Sequence, residues 1–405
     1  MAGEWDLVVV GAGPAGSATA LAALRADPAA RVLLLDSADF PRDKVCGDGV
    51  APHAMDVLAD LGVDIAELTA GTEPVTRLTV VSPGGIRFAR PFARPAFVVP
   101  RVLFDHRLLC AAQAAGAVLR KHRVRTISAG GGRGAGVDAP VVIDGGIRAR
   151  VVVGADGAES VIRRQCGARP APAGTVAIAV RGYAPAHAFV RGEQLLTLAA
   201  EHWPAYAWAF PVGDGTANIG YGEVIRRDPP TRKHLTERLH ALVPGLDGVP
   251  LRGHRLPLSP GRPEIAHGRV LLTGDAASLI NPLTGEGIYY AVLSGSLAGA
   301  AAMTQDPARA YRHSLRHALG THLRHTTLLA RLTRHPWPLD LAAEAARADR
   351  RAFDGITEIG LGAGTLDRHL LAALATALPR FRSRRAGRPH SRQTGAGDRK
   401  DADVD

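Results

Sequence analysis

The chain has 405 residues, 46% of them hydrophobic, and carries 49 Lys and Arg against 38 Asp and Glu, a net charge of +11. That length and apolar content suit two domains with cores of their own and exclude a disordered chain. The positive charge is scattered and accompanied by no RNP, zinc-finger or helix-turn-helix signature, so no nucleic-acid partner is expected, and three cysteines (Cys46, Cys110, Cys166) are too few for a disulfide framework and fit a reducing, cytoplasmic setting.

The apolar run from Leu7 to Val10 predicts a strand that ends in Gly11-Ala12-Gly13-Pro14-Ala15-Gly16. A small-residue helix follows, then a second apolar strand, Val32 to Leu35, that ends in Asp36. This is the pattern of a dinucleotide site. Gly11 allows the turn, Gly13 lets backbone approach a pyrophosphate, and Gly16 lets the helix pack on the sheet, with Ala15 between them. The free N–H groups and partial positive charge of the helix start suit phosphates, and Asp36 suits a ribose. The first strand begins within a few residues, without a basic segment or cleavage site, so no signal peptide is expected.

The stretch 37–49 is punctuated by Pro and Gly and reads as a loop. A helix is expected from about His53 to Leu61, and two or three strands from Val75 to Pro100 around a turn at Pro83-Gly84-Gly85. From Arg101 to Ala115 the spacing of Leu103, Phe104, Leu108, Leu109 and Ala112 predicts a helix. Val118 to Ile127 and Val141 to Ile147 read as strands around a glycine-rich loop, 130–136. Val151 to Val153 predicts a buried strand ending in Gly154-Ala155-Asp156-Gly157, with a helix starting at Ser160.

From about Arg169 to Pro257 alternating strands and Pro/Gly turns are expected, with a helix over Thr231 to Leu242. Val270 to Leu272 is again a buried strand, ending in Gly274-Asp275, and Gly287 to Ala302 a helix, too short to span a membrane. Its Gly295 and Gly299 suggest close packing of that helix on the sheet. Ala308 to Arg334 and Leu339 to Ile359 read as helical. Leu366 to Leu378 predicts an amphipathic helix with Leu366, Leu370, Leu371, Leu374 and Leu378 on one face, and the basic chain beyond Pro379 reads as disordered.

Three apolar strands thus end in a glycine–acid corner, and in a doubly wound sheet ligands lie beyond such strand ends. The expected architecture is α/β: a discontinuous Rossmann-like domain (1–74, 98–168 and 262–305) with an inserted antiparallel-sheet substrate domain (75–97 and 169–261). A helical C-terminal region (306–379) and a basic tail (380–405) follow.

The three corners together (GxGxxG, DG and GD) resemble the flavoprotein monooxygenase fold group related to p-hydroxybenzoate hydroxylase. The resemblance implies FAD, with Asp156 near it, Gly274-Asp275 at its ribityl chain or ribose, and the segment containing Gly285, Gly287 and Ile288 along its isoalloxazine. Two stretches narrow the family. Asp43-Lys44-Val45-Cys46-Gly47-Asp48-Gly49 is similar to the KxCGxG loop of geranylgeranyl reductases. Pro204-Ala205-Tyr206-Ala207-Trp208-Ala209-Phe210-Pro211 with Asn218-Ile219-Gly220-Tyr221-Gly222 resembles their YxWxFP…N(I/V)GxG signature, and Arg101-Val102-Leu103-Phe104-Asp105 fits their RxxFD segment. The form with Asp48 resembles an actinobacterial branch.

What the resemblance implies is an FAD-dependent reductase that saturates C=C bonds of a polyprenyl chain, a geranylgeranyl group or a menaquinone side chain, by hydride transfer from reduced flavin. Lys44, Cys46, Gly47 and Arg101 would then touch the cofactor, and Gly49, Tyr206, Trp208, Phe210 and Tyr221 the substrate. The electron donor is open between NAD(P)H and another carrier. The alternatives are an aromatic or polyketide monooxygenase using NAD(P)H and O2, and a non-catalytic flavin-binding protein.

Each residue also has a plainer reading. Cys46 is a catalytic thiol that orients the alkene or gives a proton, or a small residue packing a turn. Tyr206, Trp208 and Phe210 share one strand face, as the wall of an apolar pocket that Phe189 and Tyr221 extend, or as an ordinary sheet core. Arg101 contacts phosphate or anchors the Cys46 loop, against a surface charge at a helix start. His313, His317, His322 and His325 read as a solvated helix face and not as a metal site. The helix from Leu366, with Arg380, Arg382, Arg384 and Arg385, either caps the fold or lies peripherally on the inner face of an anionic membrane.

Overall fold

The computed structural model describes residues 4–386 except 129–138, 169–171, 173, 202 and 247. The glycine-rich loop expected over 130–136 and the tail beyond 386 lie outside the described residues. The chain opens with β1 (Trp5–Val10), α1 (Pro14–Ala26), β2 (Val32–Asp36), β3 (Gly49–Val50), α2 (Pro52–Asp60), α3 (Ile65–Thr69), β4 (Pro74–Val81), β5 (Arg87–Val98) and α4 (Arg101–Ala114). Then come β6 (Val118–Lys121), β7 (Ile127–Ser128), β8 (Val141–Ile143), β9 (Ile147–Gly154), α5 (Val161–Gln165), β10 (Val176–Pro185), β11 (Glu193–Leu198), β12 (Ala205–Pro211) and β13 (Thr216–Val224). The rest is α6 (Arg232–Leu242), β14 (Arg252–Pro257), β15 (Ala266–His267), β16 (Val270–Leu272) and five helices: α7 (Ile288–Ala302), α8 (Pro307–Leu332), α9 (Trp337–Ala348), α10 (Arg350–Leu361) and α11 (Arg368–Ala386).

Among the described residues these strands form two eight-stranded sheets. In the first, β16, β9, β1, β2 and β6 run parallel in that order. Its central strands carry continuous buried apolar runs, Leu7 to Val10 and Val32 to Leu35, because both faces are covered, which is the usual state of parallel sheets. The second sheet, ordered β14-β10-β13-β12-β11-β4-β5-β3, is antiparallel except for the β11–β4 pair. One of its faces packs on α6 through Ile219, Tyr221, Leu235 and Leu239. The other looks toward the C-terminal helices, where Leu78 meets Ala346 and Phe353.

Several local expectations change, each for a visible reason. Val118 to Ile127 is not one strand: the Asp144 carboxylate accepts the N–H groups of Arg125 (3.1 Å) and Thr126 (2.8 Å), which removes them from any ladder. Leu339 to Ile359 is two helices, because Asp349 is extended and its carboxylate caps α10 through Arg351 N–H at 2.7 Å. The final helix does not stop at Pro379 but runs through it to Ala386, with Phe381 buried beyond the proline. His322 is buried and not solvated, with its ring nitrogens 2.8 Å from the Tyr290 hydroxyl and 2.7 Å from the Gly364 carbonyl. Gly295 and Gly299 of α7 lie against the backbone of α1, so the close packing there is helix on helix.

Candidate active site

The three corners meet because their strands are neighbours. Val10 pairs with Gly154, and Gly154 with Leu272, so all three chain reversals open on the same sheet edge. Gly11 has φ +102°, and a Cβ there would overlap the Ala155 carbonyl, so glycine is required where the first two corners touch. Gly13 faces side-chain ends instead of backbone. A Cβ built on it finds Arg42 Nη2 at 3.3 Å, Asp105 Oδ2 at 3.7 Å and Arg101 Nη2 at 4.0 Å. No side chain caps α1 at Gly13, so the first-turn N–H groups remain for a ligand, with two guanidinium groups beside them.

Asp36 accepts N–H groups from Ala12 and Ala38, each at 2.9 Å, which fixes the turn and leaves lone pairs over. Lys44 Nζ lies 3.0 Å from Asp275 Oδ2. Burial pushes the Asp275 carboxyl up, and the Lys44 charge outweighs it and holds the group below the usual carboxylate range. The Asp156 carboxylate is engaged in starting α5, accepting from Ser160 Oγ (2.5 Å) and Val161 N–H (2.7 Å), while the residue borders the same cavity. An anion cradle at a helix start, an acid at the end of the next strand and one cavity bordered by both fit FAD.

The loop carrying Cys46 is fixed by the second sheet. Arg181 of β10 donates to the carbonyls of Cys46 (3.1 Å) and Lys44 (3.0 Å) and to Asp43 Oδ1 (2.7 Å). Asn218 of β13 donates to the Cys46 carbonyl (2.9 Å) and to Asp48 Oδ2 (2.7 Å), and accepts from Trp208 Nε1 (2.8 Å). Cys46 is partly exposed on the cavity. Burial pushes its thiol up, against the nearby Arg101 charge, so at neutral pH it is a protonated thiol and not a thiolate. Arg101 is buried and holds Asp105 in a two-bond ion pair (2.5 and 2.8 Å), so it is no surface charge.

Asp48 sits at φ +60° with no exposed surface. Its Oδ2 accepts from Tyr183 and Asn218, and among the described residues its Oδ1 has no partner. Burial pushes the carboxyl up to about 6, opposed by those hydrogen bonds and by Arg181. Two further titratable groups line the cavity. Burial raises Glu286 to about 7, and burial beside Lys44 lowers His254, whose Nε2 also lacks a partner among the described residues.

Tyr206, Trp208 and Phe210 form one aromatic row, with ring centres 5.9 and 6.4 Å apart. Their opposite numbers on β13 are Gly222, Gly220 and Asn218, small enough to let the rings lie over the strand. The Tyr206 hydroxyl donates to the Thr284 carbonyl, and a Cβ on Gly47 would lie 3.5 Å from Trp208 Nε1. The row therefore joins the Cys46 loop to the segment that leads into α7. The cavity continues past it between Leu196 of the sheet and Ala346, Phe353 and Leu370 of the C-terminal helices, with a volume of about 800 Å³. That is large among ligand pockets.

Of the residues expected at the site, Gly11, Gly13, Ala15, Asp36, Lys44, Cys46, Gly47, Gly49, Arg101, Asp156, Asp275, Gly285, Gly287, Ile288, Tyr206, Trp208 and Phe210 line this one cavity. Gly16 and Gly274 lie behind it, packed against Gly11 and between Ala15 and Ala291. Tyr221 is not on the wall: it alternates to the far face of β13, packs toward α6, and donates to Glu223 (2.7 Å), and Phe189 packs on that face as well. Arg42, Asp48, Arg181, His254 and Glu286 were given no role at the site from sequence, although Asp48 and Glu286 stand inside two of the motifs and Arg42 beside one.

The family described as FAD binding domain matches residues 4–295. A menaquinone reductase of Mycolicibacterium smegmatis is 34% identical over 319 residues, 72% of this chain and 75% of that protein. Digeranylgeranylglycerophospholipid reductase 2 of Methanopyrus kandleri is 33% identical over 318 residues, 73% of this chain and 76% of the relative. Among solved structures, a geranylgeranyl bacteriochlorophyll reductase-like protein of Thermoplasma acidophilum superposes with a TM-score of 0.76 at 21% identity, over 94% of this chain and 98% of its own. A flavin-dependent brominase superposes at 0.70 with 19% identity, over 94% of this chain and all of its own, so the fold alone does not choose the chemistry.

Proposed function

This chain belongs to the FAD binding domain family, within the geranylgeranyl reductase group, and from that premise we propose that it saturates C=C bonds of a polyprenyl chain, on a geranylgeranyl group or a menaquinone. The observation that carries the substrate is the apolar cavity running from the Cys46 loop to the C-terminal helices. A polyprenyl chain offers only carbon and hydrogen, so its affinity comes from apolar burial, at about 25 cal/mol per Å².

Bound FAD, when reduced, supplies the hydride. The Gly13 turn with Arg42 and Arg101 would hold its pyrophosphate, Asp36 its ribose, and Lys44 with Asp275 the chain between phosphate and ring. Tyr206, Trp208 and Phe210 press the prenyl chain toward Cys46, whose thiol keeps a proton at Sγ for the second alkene carbon. Arg181 and Asn218 hold that thiol in place through the Cys46 carbonyl. The reducing equivalents come from NAD(P)H or another carrier, and the enzyme works at the inner face of the cell membrane, where such lipids reside. No helix among the described residues is long and apolar enough to cross a membrane.

The test is anaerobic. Purified protein loaded with FAD and reduced is mixed with a geranylgeranyl lipid that carries no quinone ring, since a quinone ring would itself reoxidise the flavin whatever the state of its side chain. Return of the oxidised flavin spectrum without O2, and its absence with a fully saturated chain, are expected. Reoxidation only on admitting O2 would favour a monooxygenase, and failure of any donor to reduce the flavin would favour a non-catalytic binder.

A further inference from the structure

Seven large hydrophobic side chains are exposed among the described residues, and four of them fall in one region: Leu328, Leu332, Trp337 and Leu371. They lie on the end of α8, the start of α9 and the start of α11. These ends are tied together, since Leu366 N–H donates to His325 Nδ1 (3.1 Å) and Leu329, Leu370 and Leu374 share an apolar cluster. The same ends line the cavity. Leu329, Thr333 and Leu370 adjoin Leu328, Leu332 and Leu371 in sequence and face inward. The exposed ridge is thus the outer lip of the cavity's far end.

Its charge is one-sided. Residues 307–339 contain no Asp or Glu. Arg331, Arg334 and Arg368 are exposed at the lip, and among the described residues Arg331 and Arg334 make no ion pair. The neighbouring acid, Asp367, caps α11 through Leu370 N–H at 2.8 Å. Of the two environments expected for the leucine face, the cap on the fold fits most of it: Leu366, Leu370 and Leu374 line the cavity, and Leu371 remains outside. Leucines for the acyl boundary, a tryptophan for the interface and exposed arginines without an ion pair among the described residues are the composition of a bilayer-docking surface.

We propose that this lip (the end of α8 with the starts of α9 and α11) docks on an anionic lipid bilayer, so that a chain can pass from the acyl layer into the cavity without crossing water. The passage of substrate rests on the polyprenyl reading, and the docking does not.

The experiment uses the full-length, FAD-loaded protein in flotation with phosphatidylglycerol vesicles and with phosphatidylcholine vesicles. The wild type should float with the first far more than with the second. L332E/W337E and R331E/R334E should each lose about tenfold in vesicle partitioning, whereas V190E, on another exposed hydrophobic residue, should not. Flavin absorbance shows whether each variant is folded. L332E/W337E should reduce substrate dispersed in detergent at the wild-type rate and vesicle-embedded substrate much more slowly. Loss of flotation in the lip variants supports docking even if no polyprenyl substrate is reduced. Equal flotation of wild type and L332E/W337E, or a wild-type dimer in sedimentation that W337E dissociates, overturns it.

Discussion

Asp48→Asn isolates the charge of the fully buried carboxyl two residues beyond Cys46. In the native protein this group titrates at about 6, against 3.8 for an exposed aspartate. Between those values the folded state keeps a proton that the unfolded state has lost, so stability falls as pH rises through that window and stays lower above it. A difference of about two units corresponds to about 3 kcal/mol. Asparagine keeps an oxygen for Tyr183 and Asn218 but cannot ionise. Urea unfolding of the two FAD-loaded proteins, measured every half unit from pH 4 to pH 7.5, should show the stability of D48N gaining on the wild type by about 3 kcal/mol, nearly all of it below about pH 6.5. Glu286 and His254 titrate in both proteins and cancel in the difference. A difference that is flat with pH, or that runs the other way, would refute a buried carboxyl that resists ionisation.

Gly11→Ala should abolish FAD retention, because the added methyl meets the Ala155 carbonyl at a positive φ; a coloured G11A protein after gel filtration would contradict the cradle. Ala346→Trp fills the cavity near Phe353, where the small residue is buried, at a stability cost of about 1–3 kcal/mol. It should keep FAD and turn over short prenyl chains while losing long ones, as measured by chain-length-resolved kinetics. Cys46→Ala should leave the FAD dissociation constant unchanged and lower kcat by about 100-fold or more if the thiol supplies the proton. Arg181→Met removes the hydrogen bonds to the Cys46 and Lys44 carbonyls, while exposed Asp43 keeps Arg252 at 3.4 Å, so a loss of about 1–2 kcal/mol in urea unfolding is expected.

The cofactor half of the molecule was legible because its residues answer steric demands. Gly11 and Gly13 are where they must be for a turn and a close approach, and parallel strands bring distant corners to one edge. The aromatic row was legible from the two-residue period of a strand. The signature, not the period, misplaced Tyr221: it names neighbours together, although Asn218, Gly220 and Gly222 lie opposite the aromatic row and Tyr221 alternates to the other face. Arg181 and His254 carry no local pattern, and the motifs that contain Asp48 and Glu286 do not say what those carboxyls do. Each acquires its role from burial or from a partner far away in the chain, as Arg181 does from Asp43 and Cys46. The break at Asp349 and the run through Pro379 were decided by a cap and by the burial of Phe381, not by helix propensity. The amphipathic face of α11 was seen with two environments open, a cap on the fold or a membrane, and the inward-facing Leu366, Leu370 and Leu374 fit the cap, because a periodic pattern says which side is apolar and not what covers it.

The most direct measurement is the mass of the product. FAD-loaded enzyme with a chemical reductant and a menaquinone of defined chain length, worked up and weighed by high-resolution mass spectrometry, should show the gain of one H2 for each side-chain double bond consumed, with the quinone ring intact. A product heavier by one oxygen atom, or unchanged quinone beside a fully reducible flavin, would contradict the account.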